Sequence, residues 1–112
     1  MIKRSRVLVA CSVVAFAAVC AQAWAEGNAA AGKQKNRLCQ GCHGIADFRT
    51  AYPDVYNVPK LGGQGAPYMV KALQDYKSGA RKHPSMNGIA ASLSDQDMAD
   101  LAAYYASSDS AN

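Results

Sequence analysis

A single pentapeptide, Cys39-Gln40-Gly41-Cys42-His43, restricts what this chain can fold into more than any other stretch. Residues at i, i+3 and i+4 of a helix share one face, so on a helical turn both thiols and the imidazole converge on the same object. C-x-x-C-H is the attachment signature of a c-type haem. The thiols add to the vinyl groups as thioethers, and the histidine binds the iron from the proximal side. A chain built to this pattern has to fold around a flat, rigid macrocycle.

A bare C-x-x-C also serves thioredoxin-like redox sites and zinc ribbons. The first requires a βαβ pattern around the motif, whereas the flanks here are Ala- and Lys-rich and helical in character. A structural zinc site requires four ligands, and beyond the motif the chain offers His83, Cys11 and Cys20.

Cys11 and Cys20 lie in a segment with the form of an export signal: Lys3, Arg4 and Arg6, then an apolar run from Val7 to Val19, then Ala23-Trp24-Ala25 as a small-x-small cleavage site. The run is about 13 residues long, short of the roughly 20 needed to span a bilayer. Removal after Ala25 is therefore expected rather than an uncleaved anchor. Lipidation of Cys20 is disfavoured, because Val19 stands where a small residue is wanted.

Residues 26–112 then form the mature domain, in which Cys39 and Cys42 are the remaining cysteines. Removing Lys3, Arg4 and Arg6 leaves nine basic against eight acidic residues, so the basic balance of the full chain belongs largely to the signal. A domain of this size has a marginal core, and a buried macrocycle would supply the missing volume. Its basic residues, from Lys33 to Lys82, precede the acidic stretch that begins at Asp95. One basic face could steer an acidic redox partner. The dense Lys/Arg cluster with interleaved aromatics that nucleic acid demands is missing. Membrane association is expected only through a membrane-bound partner.

Residues 28–39 read as a helix capped by Asn28, with Gly32 as a candidate close crossing and Gly44 as the stop. Residues 45–66, with Pro53, Pro59, Gly62, Gly63 and Gly65, read as a long loop. Such a loop is sensible in a compact domain if it wraps the haem, with Tyr52, Val55, Tyr56, Val58 and Leu61 against the ring and a helical turn near Asp54. Pro67 opens a second helix that stops at Gly79. Ser94 caps a third, whose Met98, Leu101, Ala102 and Tyr105 form a stripe at i, i+3, i+4 and i+7. Residues 107–112 read as a polar tail.

An electron-carrying haem needs a second axial ligand, usually Met or His. Met69 and Met98 fall on helical apolar stripes, where methionine is core filling. Met86 lies in Lys82-His83-Pro84-Ser85-Met86-Asn87-Gly88, read as an irregular segment between helices. Met86 is the expected ligand, with His83 or an open position as the alternatives.

From Gly27 to Ala106 the sequence resembles the small class I cytochromes c, nearest the cytochrome c4 and c553 types of Gram-negative bacteria. The resemblance rests on Gly32, on Cys39 to Gly44, and on Pro59, Leu61, Gly63 and Gln64 of a P-x-L-x-G-Q segment. Tyr76, Gly79 to Arg81, Met86 and Leu93 to Asp95 extend it. It implies an all-α class I cytochrome c fold of three main helices with a long haem-wrapping loop. It also implies that the Pro59 carbonyl accepts a hydrogen bond from His43, and that Gly32 sits near Leu101 and Tyr104. Asn36 departs from the pattern, since many members carry an aromatic there. Cytochrome c4 has two haem domains in tandem, and this chain, with one C-x-x-C-H, resembles one half.

The expected function is single-electron transfer between respiratory or dehydrogenase partners in the periplasm, by a protein holding one covalent haem through Cys39, Cys42, His43, Pro59 and Met86. No catalytic residue is expected. The rivals are a ligand-binding haem with a labile sixth position and a haem subunit of a larger dehydrogenase or oxidase. Intact mass tests the export reading: apart from the haem increment, the purified protein should weigh as a chain beginning at Glu26, and a mass retaining residues 1–25 would refute it.

Overall fold

A computed structural model describes residues 25–52 and 54–107. The expected signal, apart from Ala25, and residues 108–112 of the tail lie outside this range. The helices are α1 (Ala29–Lys35), α2 (Arg37–His43), α3 (Ala66–Ser78), α4 (Pro84–Ala91) and α5 (Asp95–Ala106). Among the described residues the β pairing is an isolated antiparallel bridge between Arg49 and Asn57.

Asn28 starts α1 by accepting the Ala31 N–H at 3.0 Å on its side-chain oxygen. The expected single helix from residue 28 is two helices, jointed at Asn36. The Asn36 carbonyl accepts the N–H groups of both Cys39 and Gln40, each at 2.9 Å. The joint extends helical structure to His43, so the C-x-x-C-H motif lies inside α2 rather than beyond a helix end.

The third expected helix forms as α5, where Ser94 and Asp97 complete a reciprocal capping box. Met98, Leu101, Ala102 and Tyr105, the expected stripe, are all buried. Helix α5 packs on α1 and α3, and α3 packs on α4.

The crossing of α1 on α5 has almost no space in it. A Cβ on Gly32 would stand 2.0 Å from the Asp100 carbonyl oxygen and 2.8 Å from the Tyr104 Cβ, and one on Gly27 would stand 2.0 Å from the Ala99 carbonyl oxygen. Only glycine allows the backbones this close. The Asp100 side chain is buried at the crossing, where it accepts from Asn28 N (2.8 Å), Gln96 Nε2 (2.8 Å) and Lys35 Nζ (2.5 Å). Lys35 also pairs with Asp97 at 2.8 Å. A buried carboxylate is tolerable only with such partners. Asn36 is a third fastening: it accepts a hydrogen bond from the Tyr105 hydroxyl, so the joint after α1 is tied to α5 by a polar bond.

Residues 45–65 are loop, as expected, but the stretch from Phe48 to Val58 folds back on itself. Val58 N–H donates to Phe48 O at 2.9 Å and Thr50 N–H to Tyr56 O at 3.0 Å. Thr50 Oγ1 also accepts from Tyr56 N at 2.8 Å. Asp54 lies in a bend, not a helical turn. Further on, Gly63 N–H donates to the Tyr105 carbonyl at 2.9 Å and ties the loop to the end of α5.

The crossing predicts that Gly32→Ala costs about 3 kcal/mol, the upper range of overpacking, because both facing atoms belong to helix backbone or its Cβ. A denaturant midpoint equal to wild type would disprove the close approach. The ion cluster predicts acid sensitivity. Lys35, followed by the backbone N–H and hydroxyl of Ser94, holds the Asp97 carboxyl down at about 2, and the Asn28 N–H, followed by Lys35, lowers that of Asp100. Folded-state values below the unfolded ones mean stabilisation present above the ordinary carboxylate range and lost as pH falls from about 4 through about 2. Asp97→Asn should therefore cost about 1 kcal/mol at pH 7, a typical capping loss, and the gap to wild type should close by about pH 2 in urea titrations.

Candidate haem site

Helix α2 carries Cys39, Cys42 and His43 on one turn. It ends at Gly44, whose N–H donates to Gln40 O at 3.0 Å; a Cβ there would stand 2.5 Å from that same oxygen. The chain turns away and returns at Pro59, whose carbonyl oxygen lies 2.7 Å from His43 Nδ1. A carbonyl can only accept, so Nδ1 carries the proton and Nε2 keeps its lone pair for a metal.

Above this turn lies an apolar cleft walled by α2, α3, α4, α5 and the loop. Cys39 and His43 come from α2, Leu61 from the loop, Met69 and Leu73 from α3, Met86 and Ile89 from α4, and Leu101 and Tyr105 from α5. Cys39 packs on both buried clusters, that of Met69, Ala102 and Tyr105 and that of Leu93, Met98 and Leu101. Burial raises the pKa of its thiol and that of the Tyr105 hydroxyl, so both stay protonated near neutrality. Cys42 is exposed, and the two cysteines are not joined in a disulfide.

The donors fit a haem. Two thiols and an imidazole share one helical turn, the thioethers of Met69 and Met86 line the same cleft from α3 and α4, and the remaining lining is hydrocarbon apart from Tyr105. Among the described residues, no group of three or more His, Cys, Asp or Glu is gathered as a cage for a bare metal ion. A metal that brings its own equatorial ligands needs just two more, which His43 and Met86 can supply.

Met86 does not lie in an irregular segment. Pro84 takes the first turn of α4, where its missing N–H is harmless, and His83 acts as N-cap, its Nδ1 3.4 Å from Met86 N. His83 itself is outside the cleft lining, with its ring 4.2 Å from that of Tyr56 and 6.5 Å from that of Tyr76. Met98 is fully buried on α5, also outside the lining, whereas Met69 is both core and cleft wall. Of the loop residues expected against the ring, Leu61 lines the cleft, Tyr56 stacks on His83, and Val58 lies with Pro59 in a second hollow beside His43. Tyr52 is 91% exposed and Val55 61%, because the fold-back between Phe48 and Val58 carries them away.

Two residues stand out here that the sequence reading passed over. Asn87, beside Met86, binds three backbone groups of the joint between α3 and α4. Asp100 looked like part of a solvated acidic stretch and is buried in the crossing. The expected basic face also shrinks. Lys35 and Lys71 are paired with aspartates, Lys77 donates to the Leu93 carbonyl, and Arg81 lies 4.8 Å over the Tyr76 ring. Among the described residues, the side chains of Lys33, Arg37, Arg49, Lys60 and Lys82 have no such partners.

Comparison with known proteins agrees with this geometry. The cytochrome c family model matches residues 25–109. Cytochrome c4 of Pseudomonas aeruginosa is 49% identical over 85 residues, which cover 76% of this chain and 40% of that protein. Cytochrome c-554(548) of Halomonas halodenitrificans is 43% identical over 84 residues, covering 72% of this chain and 96% of that protein. The crystal structure of reduced cytochrome c4 from Pseudomonas stutzeri superposes with a TM-score of 0.60 at 43% identity, over 73% of this chain and 46% of that one. The chain thus spans less than half the length of the cytochromes c4 it matches. With the family matched from end to end of the described helices, the chain belongs to the cytochrome c family, as an all-α class I member that resembles cytochrome c4.

Proposed function

We propose that this chain is an exported, periplasmic one-electron carrier that holds a single haem through thioethers from Cys39 and Cys42, with His43 and Met86 as axial ligands. The observation that carries the reading is the one apolar cleft into which α2 brings Cys39 and His43 and α4 brings Met86. Once bound, haem iron supplies the one-electron ferrous–ferric couple. The chain's own residues set its surroundings. The Pro59 carbonyl fixes the His43 ring and its tautomer. Leu61, Leu73, Ile89 and Leu101 exclude water, which favours the less charged ferrous state.

The similarity to cytochromes c4 and to cytochrome c-554(548) supports a carrier rather than an enzyme. One C-x-x-C-H supports a single haem. No helix among the described residues is long and apolar enough to cross a membrane. Electron donor and acceptor are taken to be other redox proteins. A relative from Stutzerimonas stutzeri, 43% identical over 65 residues, is named a thiosulfate dehydrogenase electron acceptor, which favours a dehydrogenase as the donor class. Lys33, Arg37, Arg49, Lys60 and Lys82 could favour acidic docking surfaces.

Spectroscopy of the purified protein tests the assignment. Acid-acetone should leave the haem on the polypeptide, and Met86→Ala should abolish the ferric charge-transfer band of Met ligation, lower the potential and admit cyanide. Loss of a thioether removes a ligand that stabilises ferrous iron. A Met86→Ala protein that keeps the band and still excludes cyanide would show another group to be the ligand, with Met69 next to be replaced.

A further inference from the structure

We infer that Asn87 is the positioning residue for the distal ligand: its side-chain amide locks the α3–α4 joint and so holds Met86 at the iron. The inference rests on the reading of Met86 as axial ligand given above.

Helix α4 has eight residues, and its packing partner is α3. On its own such a short helix is marginal, so its place depends on what fastens its start. Beside the cap that His83 gives the Met86 N–H, one side chain ties that start to the end of α3. Asn87 Nδ2 donates to Tyr76 O at 2.7 Å, in the last turn of α3, and to Arg81 O at 2.8 Å, in the connection. Its Oδ1 accepts the His83 N–H at 2.8 Å, at the N-cap of α4. Three successive pieces of backbone are thereby joined through a planar group one residue from Met86. The Asn87 N–H donates in turn to the His83 carbonyl at 2.8 Å, which closes the first turn of the helix.

The arrangement demands two donors and one acceptor in one plane at short reach, which asparagine supplies. Aspartate would turn an anion toward the Tyr76 and Arg81 carbonyls, leucine would leave all three backbone groups without this partner, and glutamine adds a methylene. The joint matters to coordination because an axial thioether must stay in place against exogenous ligands. When Met86 leaves the iron in a small fraction of molecules, an added ligand binds with an affinity set by that fraction. Loosening the joint raises the fraction.

The test is imidazole and cyanide binding to the ferric holoprotein, with wild type, Asn87→Leu, Asn87→Asp, Met86→Ala and Asp100→Asn compared. Asp100→Asn weakens the α1–α5 crossing, which leaves the α3–α4 joint untouched, and serves as the control for general instability. Both Asn87 variants should bind the added ligands at least about tenfold more tightly than wild type, with a weakened Met–iron charge-transfer band and an unaltered covalent haem. Asp100→Asn, compared at denaturant concentrations giving the same fraction unfolded, should not. Equal tightening by Asp100→Asn, or Asn87 variants with wild-type ligand affinity, would overturn the positioning role while leaving Met86 as ligand. A Met86→Ala protein indistinguishable from wild type would instead remove the axial assignment and the inference with it.

Discussion

The contact on which the rest of the structure depends is the backbone-to-backbone crossing of α1 and α5. At Gly32, and at Gly27 just before α1, carbonyl oxygens of α5 lie where side chains would otherwise be. That closeness brings the Asn28 N–H onto Asp100 and lets Lys35 reach both Asp97 and Asp100. It also sets the joint at Asn36 against Tyr105, and the joint fixes the direction of α2. The position of the thiol–imidazole turn is thus inherited from a contact between two helices that carry neither thiol nor imidazole.

The buried core is correspondingly one-sided. Apart from Met69, Ala90 and Leu93, its buried apolar residues all lie on α5, and Leu38, Ile45 and Tyr68 are left exposed. A domain of this size buries a smaller fraction of its surface with protein alone than a larger one does. The cleft between α2, α3, α4 and α5 therefore belongs to the stability of the fold as well as to its chemistry. A macrocycle attached at Cys39 and Cys42 would contact every element that lines it, including α4, whose other support is α3.

Legibility in the sequence followed the reach of each interaction. Helix α5 could be read in full because its cap, first-turn acids and apolar stripe are all local. Gly32 announced its crossing, since an unexplained glycine in a helix asks for a neighbour. The thiols and His43 were legible from spacing, and the Pro59 contact from resemblance to relatives. Helix α4 was not, because His-Pro-Ser followed by Asn-Gly has loop composition, and its N-cap is a histidine ring nitrogen rather than a common capping oxygen. The break at Asn36 was hidden in a stretch of good helix formers. Asn87 and Asp100 acquire their roles from partners supplied by other segments, such as Tyr76 and Asn28, and no local pattern marks them.

The crossing also imposes an order of events on the polypeptide. Asn28 and Asp100 are 72 residues apart, and Asn36 and Tyr105 are 69 apart. Contacts of such separation require closure of nearly the whole domain, so they form late compared with a single helix. Until α5 has emerged, nothing can hold α1 in place, and the side of Cys39 that Tyr105, Met98 and Leu101 will cover stays open. A chain delivered from its N-terminus therefore leaves Cys39 open while the earlier helices form and encloses it only when α5 arrives. The residue that completes the wall, Tyr105, lies close to the end of that helix, so chain closure and shielding of Cys39 are one event.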